Sequence, residues 1–251
     1  MNKLDLTIII PNYNEYENIS RGVLDDVINF LKKQKFTWEV VISDDGSSDD
    51  SLKLIDSYIK KDDRIRLLKN AHAGKPFALR SAVNAARGEY LLLTDMDQST
   101  PIQELLKLYA HTPKYQIVIG GRGARRADSS PIRQLASIIF LMVRRFILLP
   151  EIKDTQCGFK LINTKLAQKI FSKMRIFGRA NNAVGWKVTA YDVEMLHLGK
   201  RMGAVIKEVR VIWKNEDTSS GKSRNFVKES LEMLFEIMRV RVNDMLGKYN
   251  V

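Results

Sequence analysis

The feature that most constrains the fold of this chain is a series of short, apolar, β-branched runs that alternate with helical patterns. The first run, residues 6–10, stops at Pro11 and shows no polar alternation. Such a run is typical of a strand buried on both faces of a parallel sheet. A stripe of apolar residues at helical spacing follows over residues 19–33. The alternation predicts an α/β fold, a doubly wound and mostly parallel sheet.

The same patterns continue along the chain without a repeat, a linker or a low-complexity segment. Strands are predicted at residues 6–10, 38–42, 65–68, 90–94, 116–119 and 206–211. Helices are predicted at residues 19–33, 51–60, 77–86, 103–111, 131–149, 164–173, 192–202 and 228–246. We therefore expect the 251 residues to form a single domain, with a more helical part after residue 120.

Cysteine content and apolar stretches indicate the compartment. Cys157 is the only cysteine, so no intrachain disulfide can form, and the N-terminus has no secretory pattern. The longest nearly apolar stretch, residues 138–150, is interrupted by Arg144 and Arg145 and is shorter than the ~20 residues of a membrane-spanning helix. We expect a soluble chain or one bound to a membrane from outside; the stretch could lie among lipid headgroups, in the core or in a dimer interface.

Positive charge is concentrated in the second half of the chain. The net charge is +12, and residues 120–175 hold 12 Lys and Arg against 3 Asp and Glu. This distribution favours an anionic partner, which could be nucleic acid, acidic lipid or a phosphate-bearing substrate. A solvated basic surface is the simpler alternative.

Acidic and amide-rich loops follow the first, second and fourth predicted strands. Carboxylates at one sheet edge repel each other unless a cation or a hydrogen-bonding ligand lies between them. Asp95 and Asp97 suit a divalent ion that also binds phosphate oxygens, whereas Asp44 and Asp45 can accept hydrogen bonds from a nucleobase or ribose. Lys75 follows a glycine before a helix, where a diphosphate could approach. The phosphate-loop and dinucleotide glycine motifs are absent, which argues against those chemistries.

In their order and spacing, residues 7–15, 44–47, 74–75 and 95–97 resemble the inverting family 2 glycosyltransferases, which have the GT-A nucleotide-sugar-binding fold. The second half of the chain resembles the polyprenyl-phosphate sugar transferases of that family, which include the dolichyl-phosphate glucosyltransferases and mannose synthases. The segments that carry this resemblance are residues 154–160, 191–194, 213, 220–223 and 238–241. The processive-synthase motif Gln-x-x-Arg-Trp is absent, which argues against polymerisation.

The resemblance implies a nucleotide-sugar part at residues 1–120, an acceptor part at residues 121–251 and a metal, Mg²⁺ or Mn²⁺, on Asp95 and Asp97. Asp97 and Asp192 are the candidate catalytic residues. The candidate substrate-binding residues are Pro11, Tyr13, Asn14, Glu15, Asp44, Asp45, Gly46, Lys75, Asp95, Arg122, Arg126, Arg133, Gln156 and Lys222.

The expected reaction is transfer of one hexose, with UDP-glucose as the expected donor, to a dolichyl or undecaprenyl phosphate. A phosphate acceptor is already largely ionised at neutral pH and needs arginines more than a base. A glycan hydroxyl acceptor, with Asp192 or Glu194 as base, and a non-catalytic basic binding protein are the alternatives. We expect a peripheral location at the cytoplasmic face of the membrane, a membrane surface or membrane-embedded subunit as partner, possible homo-oligomers and no nucleic acid.

Overall fold

Seven strands form one sheet in the computed structural model, which describes residues 4–123, 149–182, 191–214 and 226–250. The strands are β1 (Leu4–Asn12), β2 (Trp38–Asp44), β3 (Ile65–Lys69), β4 (Gly88–Leu93), β5 (Ile117–Gly121), β6 (Lys160–Asn163) and β7 (Ile206–Arg210). Their spatial order is β3-β2-β1-β4-β6-β5-β7. All neighbouring pairs are parallel except those of β6, which is antiparallel to β4 and β5. The predicted fold class is confirmed.

Helices cover both faces of this sheet. They are α1 (Tyr16–Ser20), α2 (Val23–Lys32), α3 (Ser51–Ile59), α4 (Lys75–Ala85), α5 (Leu105–Tyr109), α6 (Thr164–Lys173), α7 (Tyr191–Arg201) and α8 (Phe226–Met245), with 3₁₀ turns at Ile102–Glu104 and Arg175–Asn182. The helix predicted over residues 131–149 lies outside the described residues except for its last one. No helix in the described part of the chain has the length and apolarity to span a membrane.

The pleat of the strands divides the core into two layers. Ile9, Val41 and Leu91 point to one face, where they pack with residues of α4, α6, α7 and α8. Their strand neighbours Ile8 and Val40 point to the other face and pack with α2, α3 and α5. Both faces of the central strands are therefore buried, as the unbroken apolar runs predict.

Several elements differ from the sequence prediction. The helix predicted at residues 103–111 is a 3₁₀ turn followed by the short helix α5, and the 3₁₀ turn at Arg175–Asn182 was not predicted. The single helix expected at residues 19–33 is divided into α1 and α2 at Gly22, whose φ of 92° is left-handed and interrupts the helix. Strand β6 was not predicted, because it is only four residues long and begins with a lysine that sequence patterns place on the surface.

The register of the central strands sets the position of three loops. Asn12 lies beside Asp44 in the pairing of β1 with β2, and Ile9 lies beside Leu93 in the pairing of β1 with β4. The loops that follow β1, β2 and β4 therefore leave the same edge of the sheet. Ligands of open α/β sheets bind at this edge, beyond the carboxyl ends of the strands.

Candidate active site

The loops after β1 and β2 are joined by a hydrogen-bond network around Asp44. One Asp44 carboxylate oxygen accepts hydrogen bonds from Asn12 Nδ2 at 2.7 Å and Ser47 Oγ at 2.5 Å, and the other accepts from the backbone N–H groups of Gly46 and Ser47 at 3.0 and 3.1 Å. Asp44 is 2% exposed. Asp44 therefore holds the two loops together. Its contact with a nucleoside stays a prediction, and the burial of its carboxylate does not favour that contact.

Asp45 connects the end of β2 to the loop before α4. Its carboxylate accepts hydrogen bonds from the N–H groups of Ala73 and Gly74, both at 2.9 Å, and lies 2.9 Å from His72 Nδ1. A Cβ on Gly46 would lie only 3.0 Å from the backbone nitrogen of His72. The φ of Gly46 is 77°, in the left-handed region, so both the close contact and the backbone conformation favour glycine. The network places the start of α4 beside the loop after β2.

Tyr13 and His72 form an aromatic pair at this edge of the sheet. Their rings are stacked with centroids 4.4 Å apart and an interplanar angle of 18°. His72 is exposed and Tyr13 is half-buried, and flat rings that remain partly accessible can stack against a nucleobase. Sequence analysis missed His72, because its proximity to Tyr13 depends on the pairing of distant strands.

The other candidates in the loop after β1 hold its conformation. Asn14 has a left-handed φ of 55°, and its side-chain oxygen accepts a hydrogen bond from the Ser48 N–H at 2.8 Å. Glu15 accepts a hydrogen bond from Asn18 Nδ2 at 2.5 Å, within the first turn of α1. Pro11 is the strand position opposite Ser43 of β2. These residues shape the loop that carries Tyr13.

Lys75 at the start of α4 forms an ion pair with Asp95, just after β4. The ammonium lies 2.5 Å from Asp95 Oδ1. Burial would raise the pKa of Asp95, but the positive charge of Lys75 outweighs it and holds that pKa below its usual range. A Cβ on Gly158 would lie 2.2 Å from the other carboxylate oxygen, so the glycine makes room for Asp95.

Asp97 lies two residues after Asp95, and its pKa is shifted in the opposite direction. Its carboxylate accepts hydrogen bonds from the N–H and hydroxyl of Ser99 at 2.8 and 2.9 Å. Burial, together with the negative charge of Asp95, raises the pKa of Asp97. A cation near both carboxylates would relieve this repulsion.

The residues present therefore fit a divalent ion of the Mg²⁺ or Mn²⁺ type. Such ions are often held by one or two carboxylates, and phosphate oxygens and water complete their coordination. Asp95 and Asp97, two residues apart after β4, are the candidate ligands. Among the described residues, no group of three or more His, Cys, Asp or Glu side chains is placed to hold a metal.

A second ion pair, between Lys160 and Asp192, lies behind the first. Lys160 is 1% exposed; its ammonium contacts the Asp192 carboxylate and donates to the Cys157 carbonyl at 2.6 Å. Burial alone would lower the pKa of Lys75, but the negative charges around it raise that pKa above its usual value. Asp95 contributes most to this rise, followed by Tyr191 and Asp192. The two pairs form one electrostatic cluster. Sequence analysis missed Lys160 because it lies in the unpredicted strand β6.

Glu194, the other candidate base, faces away from this cluster. Its carboxylate accepts hydrogen bonds from the N–H of Arg175 at 2.8 Å and the hydroxyl of Tyr249 at 2.9 Å. Two residues along a helix are separated by about 200°, so Asp192 and Glu194 cannot face the same site. Glu194 is therefore not placed as a base beside Asp192.

Arg122, after β5, is held in a bidentate ion pair. Its Nε and Nη2 lie 2.7 and 3.0 Å from the two oxygens of Asp154, and its guanidinium lies 5.7 Å from the ring centre of Trp213. The Gln156 N–H donates to the same carboxylate at 3.2 Å. Of the predicted acceptor-side residues, Arg122 and Gln156 are thus brought together, whereas Arg126, Arg133 and Lys222 lie outside the described residues.

Comparisons with known proteins agree with this architecture. The model of the family described as Glycosyl transferase family 2 matches residues 7–171. A dolichyl-phosphate β-glucosyltransferase of Dictyostelium discoideum is 33% identical, with 98% of this chain and 76% of the relative aligned, and that of Saccharomyces cerevisiae is 30% identical, with 97% and 76% aligned. The human enzyme of the same name is 31% identical, with 83% and 67% aligned.

Two solved structures share the fold at low sequence identity. Mannosyl-3-phosphoglycerate synthase from Rubrobacter xylanophilus has a TM-score of 0.70 at 14% identity and covers 98% of this chain and 75% of its own. Glucosyl-3-phosphoglycerate synthase from Mycobacterium tuberculosis, in complex with Mn²⁺, UDP and glucosyl-3-phosphoglycerate, has a TM-score of 0.60 at 17% identity and covers 99% and 81%. Both are similar to this chain along nearly its whole length.

Proposed function

The chain belongs to glycosyl transferase family 2 and has the GT-A fold, and from this premise we propose that it transfers one glucose residue from UDP-glucose to a polyprenyl phosphate with inversion. A glycosyltransferase activity follows from the family itself. The observation that carries the choice of acceptor is the similarity to dolichyl-phosphate β-glucosyltransferases over 98% of this chain. Dolichyl and undecaprenyl phosphate are the proposed acceptors.

We assign donor binding to residues 1–120. The stacked rings of Tyr13 and His72 offer a surface for the nucleobase, and Asp45 lies against His72. Asp95 and Asp97 would hold a divalent cation, which supplies positive charge to the leaving diphosphate when it is bound. Lys75 adds a second positive charge at the same place. The solved relative that holds Mn²⁺ and UDP supports this assignment.

The proposed acceptor reacts without losing a proton to the protein. A phosphate oxygen attacks the anomeric carbon from the face opposite the diphosphate, and the bond from that carbon to the diphosphate oxygen breaks with its electron pair leaving on the diphosphate. A phosphate monoester with a second pKa near ~6 is already ionised at neutral pH. Asp192 therefore need not act as a base, and protonating it would leave Lys160 as a buried charge without its partner.

The acceptor side is assigned to residues 121–251, with Arg122, Gln156 and, outside the described residues, Arg126, Arg133 and Lys222 as the groups that meet the phosphate. Because Arg122 binds Asp154 through Nε and Nη2, we propose that its Nη1 donates to the acceptor phosphate. We place the reaction at the cytoplasmic face of a membrane, with the chain bound to the membrane surface. It would act there alone, as a homo-oligomer or together with a membrane-embedded subunit.

A transfer assay with varied donors and acceptors tests this proposal. The purified chain is incubated with UDP-glucose, GDP-mannose or UDP-N-acetylglucosamine and Mg²⁺ or Mn²⁺, with dolichyl phosphate, undecaprenyl phosphate or an oligosaccharide as acceptor. We expect an organic-soluble β-glucosyl phospholipid from UDP-glucose only when polyprenyl phosphate and a divalent cation are present. Transfer to the oligosaccharide at an equal or higher rate would instead support the hydroxyl acceptor.

A further inference from the structure

A surface cavity of about 650 Å³ lies between α4, the 3₁₀ turn after α6 and the C-terminal end of α8, and its lining includes none of the candidate active-site residues. Among the described residues, four basic side chains line it, Arg80, Lys173, Arg175 and Lys248, and no Asp or Glu does. Aromatic residues form part of its wall. The composition of this lining is that of a site for an anion attached to an apolar group.

The basic side chains of the cavity are available to a ligand. In the described ranges, none of the four is paired with a carboxylate, and all four residues are exposed. The Arg80 guanidinium lies over the Phe177 ring, 4.7 Å from its centre, which holds it at the wall. The acidic Glu194 behind the wall is bound to Tyr249 and to the Arg175 N–H.

An exposed apolar stripe on α8 reaches the rim of this cavity. The stripe consists of Phe235, Met238, Val242 and Met245 of α8, at the spacing of one helical face, and continues into Leu246 of the turn that follows. Phe235 and Met245 are each 72% exposed, whereas Ile237 and Val240 on the other face are buried. The same end of the helix contributes Asn243 to the cavity, and Lys248 follows shortly after it.

We propose that the cavity binds the phosphate headgroup of an anionic membrane phospholipid while the α8 stripe lies among the acyl chains. Basic residues next to an apolar helical face are the features by which peripheral proteins bind anionic membranes. A second copy is a poor occupant, because a symmetric contact would bring two sets of four positive charges together. Docking here would hold the chain at the membrane that contains the lipid acceptor, so its purpose rests on the proposed function.

Vesicle sedimentation tests the site without donor, metal or polyprenyl phosphate, so that its outcome is independent of transferase activity. The full chain is mixed with vesicles of phosphatidylcholine alone or with 30% phosphatidylglycerol. We expect at least ~10-fold tighter binding to the anionic vesicles, and a loss of ~10-fold or more in the variant Arg80→Gln/Lys173→Gln/Arg175→Gln/Lys248→Gln. The variant Phe235→Ser/Met245→Ser should weaken binding at unchanged charge.

A matched control removes the same charge from the opposite face of the sheet. Lys33, Lys35, Lys60 and Lys61 are exposed around α2 and α3, and their quadruple Gln variant should retain the affinity for anionic vesicles. Equal loss in both quadruple variants would show diffuse attraction and overturn the proposal. Equal binding to both vesicle types would also overturn the proposal. So would binding of inorganic phosphate in the cavity without any binding to vesicles, or a dimer that dissociates in the variant Phe235→Ser/Met245→Ser.

Discussion

The Lys75 ammonium and the Asp95 carboxylate lie 2.5 Å apart, and this pair joins the first turn of α4 to the end of β4. The lysine thereby occupies one oxygen of a carboxylate that is also a candidate metal ligand. The Lys75 ammonium therefore competes with a metal ion for the negative charge of Asp95. A bound diphosphate adds negative charge, so that both positive charges can then be accommodated.

Replacing Lys75 by Gln should separate metal binding from catalysis. Without the ammonium, Asp95 and Asp97 repel each other more strongly, so Mn²⁺ should raise the melting temperature of the variant by more than that of the parent chain. Transfer should fall by ~10- to 10³-fold, because a positive charge near the leaving diphosphate is lost. The exposed Lys60→Gln should change neither quantity. An unchanged Mn²⁺ response would refute the competition between lysine and metal.

Asp97→Asn should lower activity and raise the stability of the metal-free chain. A carboxyl group whose pKa is raised in the folded state costs stability when it is ionised, and the amide removes that cost. Transfer should fall by at least ~10²-fold, since a charge-stabilising group is lost. Thermal unfolding in chelator and initial rates in Mn²⁺ measure the two effects. Asp56→Asn, on the exposed side of α3, is the control; full activity of Asp97→Asn in Mn²⁺ would contradict the assignment.

Gly158→Ala should displace Asp95. A Cβ at this position would lie 2.2 Å from an Asp95 carboxylate oxygen, so the carboxylate must move away. We expect a loss of transfer of ~10²-fold, the scale for a small misplacement of a group in a catalytic site. At Gly178 a Cβ meets no atom within 4 Å, so Gly178→Ala should retain activity. Equal rates for both variants would show that the position of Asp95 is unimportant.

Variants of Lys160 and Asp192 test the buried ion pair and the type of acceptor. Lys160→Met leaves a buried carboxylate without its partner and should cost about 3–5 kcal/mol of stability, which Lys160→Met/Asp192→Leu should largely restore. Asp192→Asn keeps the shape but leaves Lys160 without its ionic partner, so it should also lower stability. At a temperature where this variant is folded, it should reduce transfer to polyprenyl phosphate only modestly. A loss of ~10² to 10⁴-fold in Asp192→Asn would indicate a general base and hence a hydroxyl acceptor.

His197 should make the chain less stable in mild acid. Burial lowers the pKa of His197 below 6.5, and the opposing charge of Asp244, 3.2 Å away, does not reverse the shift. A histidine with a lowered folded-state pKa contributes stability above its unfolded pKa, and that contribution is lost as the pH falls from 6.5 through the folded-state value. Chemical unfolding at pH 7.5 and 5.5 should therefore show a steeper loss in the parent chain than in His197→Gln. Identical slopes would exclude this role.

Local patterns predicted most of the sheet and the edge that carries the site. Residues 6–10 were predicted as a strand buried on both faces, and β1 is confirmed there because unbroken β-branched runs suit no exposed element. The loops after β1, β2 and β4 were expected at one edge, since parallel strands bring their carboxyl ends together. By contrast, the break at Gly22 and the short antiparallel strand β6 depend on packing that no short window of sequence contains.

The amino-acid sequence by itself determined the fold class, the family and the chemical types available at the site, because periodicity and motif spacing are local properties of the chain. Only the tertiary structure decided which groups meet: Lys75 with Asp95, Lys160 with Asp192, and Tyr13 with His72. It also decided that Asp44 is a buried loop contact. These pairings require strand order and helix packing to bring distant segments within hydrogen-bond range, and the balance of burial against charge that follows exists only in the folded chain.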